Sequence, residues 1–563
     1  GAVDAVALDA VVAKVAGSAT RWASTSASER GALLRAVIEA TVAAAPQWLD
    51  AACAAKGLDP QGPEAGEELF SGVGTFIRMA RTLAESLEQI AEHGRPQFPG
   101  PVREATDGRL IVGVFPADRW DKVLQRGVTG EVWIEPGITR SELEADQAPA
   151  YRDPAAFQGL SLVLGAGNVA SLGPRDVLSK LFVEGKVVVL KANPVNDYLV
   201  PHWNAAMAPL IDQGFLAIVD GGAAVGSHLC AHELVEEIHV TGSDKTHDAI
   251  VYGTGDEGAR RKANDDRLIT KPVTCELGNV SPVIIVPGNW SKSDLHYQAT
   301  HVATMLVNNA GFNCLTPRVL VTWAGWDQRD AFLHELAEVL SAIPQRRAYY
   351  PGAAERRSQF VAAHPEALEL GRPSEDSLPW TVIEDVEPTE DGEICFNVEA
   401  FCSLTSETAL VADHEAAFVD AAVKFCNDEV WGTLSATVLA HPDSLSDPVV
   451  GPRIEAALED LRYGGIGLNL WHAFCFALSV TSWGAYPGHP ATDIQSGNGV
   501  VGNAFMLTHV EKSIVRGPWR STPTPAWFAT AKNQKVTMER LLAFEASPSL
   551  AKLPALLLAA LRN

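Results

Sequence analysis

The sequence has few basic residues, few cysteines and no long apolar run, and each absence excludes a class of protein. Its 44 Lys and Arg are outnumbered by 69 Asp and Glu. The net charge of -25 would repel the phosphate backbone of nucleic acids and anionic lipid surfaces. No stretch of 18 apolar residues could form a membrane helix, and the first residues lack the basic start and apolar core of a secretory signal. We therefore expect a cytoplasmic protein that binds neither nucleic acid nor membrane.

The eight cysteines are too sparse for a disulfide scaffold, and none forms a C-x-x-C pair. Most are expected to be buried thiols that pack as small apolar residues. Cys314 differs because it follows a run of small and amide residues, NNAGFN. Such a thiol is a catalytic nucleophile, a metal ligand or one more core residue, and composition does not separate the three. His472 and His489 have no second ligand at metal spacing, so we predict no metal site.

The chain is long enough for two or three domains, and its apolar pattern predicts an α/β fold. Residues 1–92 show helical periodicity, and two short extended runs follow at 110–115 and 130–137. Four apolar β-type runs then alternate with helical patterns, at 161–167, 186–192, 215–222 and 237–243. Continuous apolar strands that alternate with helices predict a parallel sheet covered on both faces. A second α/β stretch begins near residue 274, and a leucine-rich helix near the end is expected to dock on its own subunit or a neighbour.

Polar residues follow three of these strands, at the edge where parallel sheets bind ligands. Asn168 follows the first strand, Lys191 ends the second, and Gly242 and Ser243 follow the fourth at the start of a helix. No phosphate-loop lysine is present, and Ala170 replaces the third glycine of a G-x-G-x-x-G motif. Each signal is weak alone, since a turn asparagine is common. Together they predict a dinucleotide site, with backbone N–H groups at the helix start facing the pyrophosphate.

Glu276 lies where the two α/β stretches meet, 38 positions before Cys314. A carboxylate there is either an ordinary solvated acid or, beside a thiol, a general base that activates water.

At this point the sequence resembles the NAD(P)-dependent aldehyde dehydrogenase superfamily from about residue 20 to 516. Five segments are similar to its motifs in the same order along the chain: E-L-G-G-K-x-P at 276–282, N-x-G-x-x-C at 309–314, E-x-F at 399–401, N-x-x-x-x-G-L-x-A at 427–436, and Gly467-Leu468-Asn469. The asparagine motif of the family resembles Ala166-Gly167-Asn168.

The resemblance implies two Rossmann-like parallel α/β domains plus a small oligomerisation element. Residues 1–129 and 151–275 would form the N-terminal helices and dinucleotide-binding domain, and 276–505 the catalytic domain. Residues 130–150 and 506–563 would form the oligomerisation element and a C-terminal extension. It further implies a homodimer or homotetramer in which the strand at 508–516 pairs across subunits.

The implied reaction is oxidation of an aldehyde to a carboxylic acid with NAD or NADP through a thioester on Cys314. In the implied reaction, attack of the Cys314 sulfur turns the aldehyde oxygen into an oxyanion, which Asn168 and the Cys314 backbone N–H stabilise. Glu276 then activates water. Lys191, Gly242 and Ser243 would bind the adenosine and pyrophosphate part of the cofactor. Glu399 and Phe401 would hold the nicotinamide ribose.

Several positions depart from the pattern of the family. A glutamine is replaced by Phe312, a glycine and lysine by Asn279 and Val280, and a glycine after Ser243 by His247. The glutamate that follows Lys191 in K-x-x-E is replaced by Pro194, so repulsion of the 2'-phosphate of NADP is lost.

Three alternatives stay open. The GAGN form is nearer that of long-chain acyl-CoA reductases, which favours acyl transfer to or from coenzyme A, whereas retention of Glu276 favours hydrolysis. The alternatives from other classes are a cysteine hydrolase without cofactor and a catalytically silent scaffold.

Four aromatic residues follow Asn469. They either pack in the core or line a substrate funnel that suits medium-chain or aromatic aldehydes: Trp471, Phe474, Phe476 and Trp483.

Overall fold

The N-terminal part of the chain is helical, as its apolar spacing predicts. The computed structural model describes residues 4–563, and its first helices are α1 (Ala5–Ala16), α2 (Ala19–Ser24), α3 (Ala27–Lys56), α4 (Glu64–Leu69) and α5 (Thr75–His93). The longest, α3, begins at a capping box in which Ser26 and Glu29 satisfy each other's backbone N–H groups. It ends at Gly57, whose φ of 67° suits glycine. Helices α3 and α5 pack against each other along their apolar faces.

A small antiparallel unit follows. It contains β1 (Val102–Glu104), β2 (Leu110–Phe115), α6 (Arg119–Leu124), β3 (Thr129–Ile134), α7 (Arg140–Asp146), α8 (Pro149–Arg152) and α9 (Pro154–Phe157). Strand β2 pairs antiparallel with both β1 and β3. The two predicted extended runs correspond to β2 and β3.

The first parallel sheet is built from the four predicted apolar runs and one further strand. Its elements are β4 (Leu160–Leu164), α10 (Leu172–Leu178), β5 (Val187–Lys191), α11 (Val200–Ala206), α12 (Ala208–Asp212), β6 (Leu216–Val219), α13 (Ala223–Ala231), β7 (Glu237–Thr241), α14 (Asp244–Val251), α15 (Gly255–Ala263) and β8 (Val273–Glu276). The strand order is β6-β5-β4-β7-β8, with every pair parallel. Edge strand β8 ends on Glu276, which places this carboxyl at the border of the sheet.

The second sheet is built mainly from the residues that the resemblance assigns to the catalytic domain. Its strands and helices are β9 (Ser281–Ile285), α16 (Lys292–Val307), β10 (Pro317–Trp323), α17 (Arg329–Ala342), α18 (Ala353–Ala363), β11 (Leu368–Leu370), β12 (Trp380–Ile383), α19 (Ile394–Asn397), β13 (Leu404–Leu410), α20 (Glu415–Asp428), β14 (Ser435–Leu439), α21 (Pro442–Ser446), α22 (Val450–Asp460), β15 (Gly465–Leu468), α23 (Phe474–Ala477), β16 (Ser482–Gly484), β17 (Val500–Gly502), β18 (Val510–Arg516), α24 (Gln534–Ala546) and α25 (Leu553–Ala560). Short π-helical turns occupy Phe70–Gly74 and Ser179–Val183, and 3₁₀ turns occupy Asp197–Leu199, Asn308–Gly311 and Ala491–Asp493. The sheet runs β1-β2-β3-β18-β15-β14-β9-β10-β13-β12-β11, while β16 and β17 form a separate pair. The α/β class is confirmed: the first sheet is parallel, and the second has a parallel centre flanked by antiparallel strands.

One domain boundary and one strand pairing differ from those that the resemblance implied. Strands β1 and β2, expected in the dinucleotide-binding domain, extend the second sheet through β3 instead. Strand β18, expected to pair across subunits, pairs parallel with β15 and antiparallel with β3 of its own chain. Because both edges of β18 are occupied, this strand offers no free edge to a partner.

Among residues 4–563, no helix combines the length and the apolar character that crossing a membrane requires.

Candidate active site

A large cleft of about 990 Å³ opens between the two sheets. It is lined by all eight residues that the sequence singled out: Asn168, Lys191, Gly242, Ser243, Glu276, Cys314, Glu399 and Phe401. The three strand ends of the first sheet therefore meet the Cys314 segment of the second. Their catalytic and binding roles remain predictions.

The segment before Cys314 has an unusual backbone. Asn309, Ala310 and Gly311 have φ angles of 50°, 54° and 79°, so three consecutive residues are left-handed. Asparagine and glycine adopt this region readily, whereas a left-handed alanine costs roughly 1–3 kcal/mol. A Cβ on Gly311 would lie 2.4 Å from the carbonyl oxygen of Cys402. This turn, the Cys314 loop (308–314), is thus pressed against the E-x-F segment.

The Asn309 amide holds the Cys314 loop in place. Its Nδ2 donates to the carbonyl oxygens of Asn168 at 3.0 Å and Phe312 at 3.1 Å. Its Oδ1 accepts from Lys56 Nζ at 3.0 Å and the Tyr349 hydroxyl at 2.8 Å. Sequence reasoning missed Lys56 and Tyr349, and the one available signal was a lysine on the apolar face at the end of α3.

Cys314 is half-buried, whereas the other seven cysteines, all within the described residues, are buried. Burial raises the pKa of its thiol well above the usual value, and the nearby carboxyls of Glu276 and Glu399 raise it further. Its own backbone N–H acts in the opposite direction. The thiol is therefore protonated at neutral pH unless a neighbour takes its proton.

Glu276 is 1% exposed, and neither carboxyl oxygen has a hydrogen-bond partner among residues 4–563. Burial is the main cause that raises its pKa to about 8, helped by the negative charge of Asp176. The neighbouring Cys314 thiol and Trp483 indole offset part of this rise. A buried carboxyl with unused oxygens beside a thiol is poised for proton transfer.

Asn168 follows β4 and is 6% exposed. Its Nδ2 donates to the carbonyl oxygen of Phe312 at 2.9 Å, which uses one of its two N–H groups. The second N–H is available to the cleft, beside the loop that carries Cys314.

Lys191 and the start of α14 lie at the other end of the cleft. Lys191 is 8% exposed, burial lowers its pKa, and its ammonium has no ion-pair partner within 4 Å among the described residues. Gly242 leaves the helix start open, since a Cβ there would meet nothing closer than 3.9 Å. The Ser243 hydroxyl caps the helix through Thr246 N. His247, which replaces a glycine of the family, is buried in the first turn of α14 and does not fill the cleft.

Glu399 links the segment at 276–282 to the E-x-F segment at 399–401. Its Oε1 accepts from Asn279 N at 3.2 Å, and a Cβ on Gly278 would lie 2.0 Å from its Oε2. Burial raises the pKa of Glu399 to about 7, against the opposing charge of Arg318. Arg318 also donates to the carbonyl oxygens of Gly311 at 2.7 Å and Cys402 at 2.6 Å, so one guanidinium ties these segments together.

Phe312, the largest departure from the family pattern, belongs to an aromatic cluster. Its ring lies 5.0 Å from Tyr349, 5.7 Å from Tyr350 and 6.1 Å from Phe401. Phe401 has a φ of 42° and lies 4.9 Å from Tyr350. The substituted side chain thus supports the cleft wall by packing rather than by an amide hydrogen bond.

A second cavity of about 80 Å³, the apolar pocket, lies against the same loop. It is lined by Asn313 and Leu315 on either side of Cys314, by Val169 beside Asn168, by Trp471, Phe474 and Phe476, and by Trp527, Gln534 and Met538 near the C-terminus. Three of the four predicted funnel aromatics therefore line a pocket. Trp483 does not: it is buried against Phe476, with its indole near Glu276.

The two histidines considered as metal ligands have other partners. His472 bridges Thr437 Oγ1 at 2.9 Å and the Leu315 carbonyl oxygen at 2.8 Å, and His489 contacts Thr433 Oγ1 at 2.7 Å. Neither belongs to the one group of possible metal ligands within residues 4–563, which is His364, Glu393 and Cys395.

Comparison with known proteins agrees with this architecture. A model of the aldehyde dehydrogenase family matches residues 178–355. A probable aldehyde dehydrogenase of Streptomyces coelicolor is 25% identical over 496 residues, which cover 78% of this chain and 88% of the relative.

Two solved structures show the same fold. Aldehyde dehydrogenase C of Pseudomonas syringae, a mutant complexed with NAD+ and octanal, has a TM-score of 0.58 at 15% identity, covering 92% of this chain and 90% of that one. The NADP-dependent glyceraldehyde-3-phosphate dehydrogenase of Bacillus halodurans, complexed with NADP, has a TM-score of 0.60 at 15% identity, covering 91% and 92%.

Proposed function

We propose that this chain, which is similar to aldehyde dehydrogenases, oxidises an aldehyde to the carboxylic acid with NAD+ or NADP+ through a thioester on Cys314. One observation carries the proposal. The one half-buried thiol lies beside a buried carboxyl with two unused oxygens, in the cleft that contains the predicted cofactor residues.

The cleft fits a dinucleotide. Its volume of about 990 Å³ lies at the upper end of the usual range for ligand sites. Lys191 carries a buried ammonium without an ion pair, which suits ribose hydroxyls and phosphates. The open start of α14 suits phosphates as well. Pro194 replaces the glutamate of the family, and Asn193, which lines the cleft beside Lys191, carries no charge either, so neither residue repels the 2'-phosphate of NADP. Bound at this site, the cofactor supplies the acceptor for the aldehyde hydride.

In the acylation step, the Glu276 carboxylate takes the proton of the Cys314 thiol, and the sulfur attacks the carbonyl carbon. The free N–H of Asn168 and the Cys314 backbone N–H stabilise the resulting oxyanion. Removal of one such donor typically costs about 3–4 kcal/mol of barrier. Loss of the hydride collapses the oxyanion to the thioester, and Glu276 releases the thiol proton to solvent. In the second step the Glu276 carboxylate takes a proton from water, which hydrolyses the thioester and releases the acid.

The substrate is an apolar aldehyde, for which the sequence suggested a medium-length chain or an aromatic ring. The apolar pocket is lined by Trp471, Phe474 and Phe476, which supports either substrate beside the Cys314 loop. Octanal, bound by the Pseudomonas relative, belongs to the same chemical class.

A homodimer or homotetramer is part of the proposal. Leu557, Leu558 and Leu561 of the last helical turns are 42%, 53% and 66% exposed, which supports an apolar contact between subunits. Light scattering after gel filtration measures the assembly directly.

The test is an assay of straight-chain aldehydes with NAD+ or NADP+, with and without coenzyme A, followed by the absorbance of the reduced cofactor. We expect Cys314→Ala to lose activity by a factor of about 10³ or more. Cys230→Ala, which removes another thiol from the cleft lining, should retain it. Activity that survives in Cys314→Ala would refute the thioester route, and product formed only with coenzyme A would identify the acylating alternative.

A further inference from the structure

The C-terminal segment (residues 517–563) has no counterpart among the motifs that the family resemblance explains. It runs along α16, the helix that leads directly into the Cys314 loop. Near the start of α16, the Trp519 indole donates to Asp294 Oδ1 at 2.9 Å. Near its end, Ala529 N donates to Thr304 Oγ1 at 3.0 Å. The segment thus follows this helix along its length to the edge of the apolar pocket.

Helix α24 of the same segment is fixed by buried charges. Glu545 accepts from Arg78 at 3.1 Å and from Arg81 at 2.8 Å. Both arginines belong to α5, and together they lower the pKa of Glu545 despite its burial. Arg78 also donates to the carbonyl oxygen of Leu478, which follows the pocket aromatics. The helix is therefore docked by partnered ions and not by apolar contact alone.

The start of α24 packs closely enough to require a glycine opposite it. A Cβ on Gly66 of α4 would lie 2.7 Å from the Gln534 backbone. One turn further along, Met538 is buried against the same side of the apolar pocket. Close packing at this point fixes how far Met538 reaches into the pocket.

Trp527 forms the other contact of the C-terminal segment with the pocket. Its ring lies 5.4 Å from Phe474 and 6.0 Å from Trp471, in tilted or edge-on contacts, and the residue is half-buried. The pocket is consequently bounded on one side by the Cys314 loop, on a second by the aromatic segment and on a third by Trp527, Gln534 and Met538.

We propose that the C-terminal segment is a wall of the aldehyde-binding pocket, and that Trp527 and Met538 set the length of the acyl chain it accepts. This inference rests on the proposed aldehyde oxidation. Removing the Trp527 indole opens the outer end of the pocket, so longer chains gain contacts that the native protein denies them. A single methylene in an apolar pocket changes kcat/KM by roughly tenfold or more.

The experiment compares kcat/KM for butanal and octanal in the full-length protein. Trp527→Ala and Met538→Ala should raise the octanal-to-butanal ratio by about tenfold or more relative to wild type. The matched pair Trp527→Phe and Trp519→Phe makes the same exchange in the same segment. Only Trp527 lines the pocket, so only Trp527→Phe should move the ratio. Equal ratios in wild type, Trp527→Ala and Trp527→Phe would overturn the proposal.

A binding measurement separates failure of this inference from failure of the proposed reaction. Butanoate and octanoate, which are products rather than substrates, should protect Cys314 from alkylation by iodoacetamide, followed by mass spectrometry. We expect Trp527→Ala to improve protection by octanoate relative to butanoate, even if no aldehyde is oxidised. Unchanged relative protection would reject the wall, whereas improved protection without oxidation would reject only the proposed reaction. Trp527→Phe keeps a ring at this position and serves as the readout if the alanine variant does not fold.

Discussion

Glu276 faces two opposed requirements. Its apolar surroundings hold a proton on the carboxyl group, yet the proposed chemistry needs the group without that proton. With a pKa of about 8, only a minor fraction is ionised at neutral pH, and the fraction rises as the pH increases through 8. A carboxylate that is present in part and weakly solvated is a stronger base than one in water. The smaller ionised fraction of Glu276 is therefore offset by the greater basicity of its carboxylate.

We expect thioester hydrolysis in the native protein to accelerate with pH and to level off above about pH 8, because the carboxylate is the active form. Glu276→Gln should lose this dependence, and the acyl group that forms slowly on Cys314 without this base should persist there, visible in the intact mass. Glu415→Gln is the control, since burial also raises the pKa of this carboxyl but it lies outside the cleft. A Glu276→Gln variant with the native rate and pH profile would show that another group activates water.

At the scale of an element, the Cys314 loop is a strained turn held by its surroundings. Its left-handed residues are stabilised by the Asn309 amide, and Arg318 binds its backbone to the E-x-F segment. Strain of this kind persists only where neighbouring structure compensates for it, and it is frequent at functional sites. The loop therefore positions the thiol with less freedom than its small residues suggest.

Gly311→Ala should both destabilise the protein and misplace the thiol. The alanine Cβ would lie 2.4 Å from the Cys402 carbonyl oxygen, so the backbone must move. Gly94→Ala is a close control, because Gly94 has a φ of 78° but nothing within 4 Å of the added atom. We expect Gly94→Ala to cost about 1–2 kcal/mol for the left-handed alanine alone. Gly311→Ala should show a larger fall in melting temperature and at least a tenfold lower kcat/KM, and equal effects of the two changes would argue against a tight fit.

At the scale of the whole molecule, the site exists only where two separately built sheets meet. Lys191 and Glu276 end strands of the first sheet, while Cys314 and Glu399 belong to segments around the second. A ligand that spans the cleft contacts both halves and should stabilise the folded chain by mass action.

We expect NAD+ or NADP+ at about 100 times its dissociation constant to stabilise the native protein by roughly 2.7 kcal/mol, measured as a rise in melting temperature. Lys191→Ala should reduce this rise, because the ammonium faces the cleft. Lys186→Ala should leave it unchanged, since Lys186 precedes the same strand at its opposite end and donates to Gln158 instead. If both variants respond to cofactor as wild type does, Lys191 is not a cofactor contact.

The sequence by itself determined the α/β class, four of the five strands of the first sheet and the identity of the residues at their ends, because strand periodicity and turn residues are local properties of the chain. It also identified the Cys314 and Glu276 motifs by resemblance. Only the tertiary structure decided that β1 and β2 join the second sheet, that β18 pairs within its own chain, and that Lys56 and Tyr349 brace the Cys314 loop. The same holds for the C-terminal segment, which is anchored beside the apolar pocket by contacts between residues more than 200 positions apart, such as Trp519 with Asp294 and Glu545 with Arg78. Such contacts leave no periodic signal in the chain, so burial, pKa and pocket shape follow from the folded molecule alone.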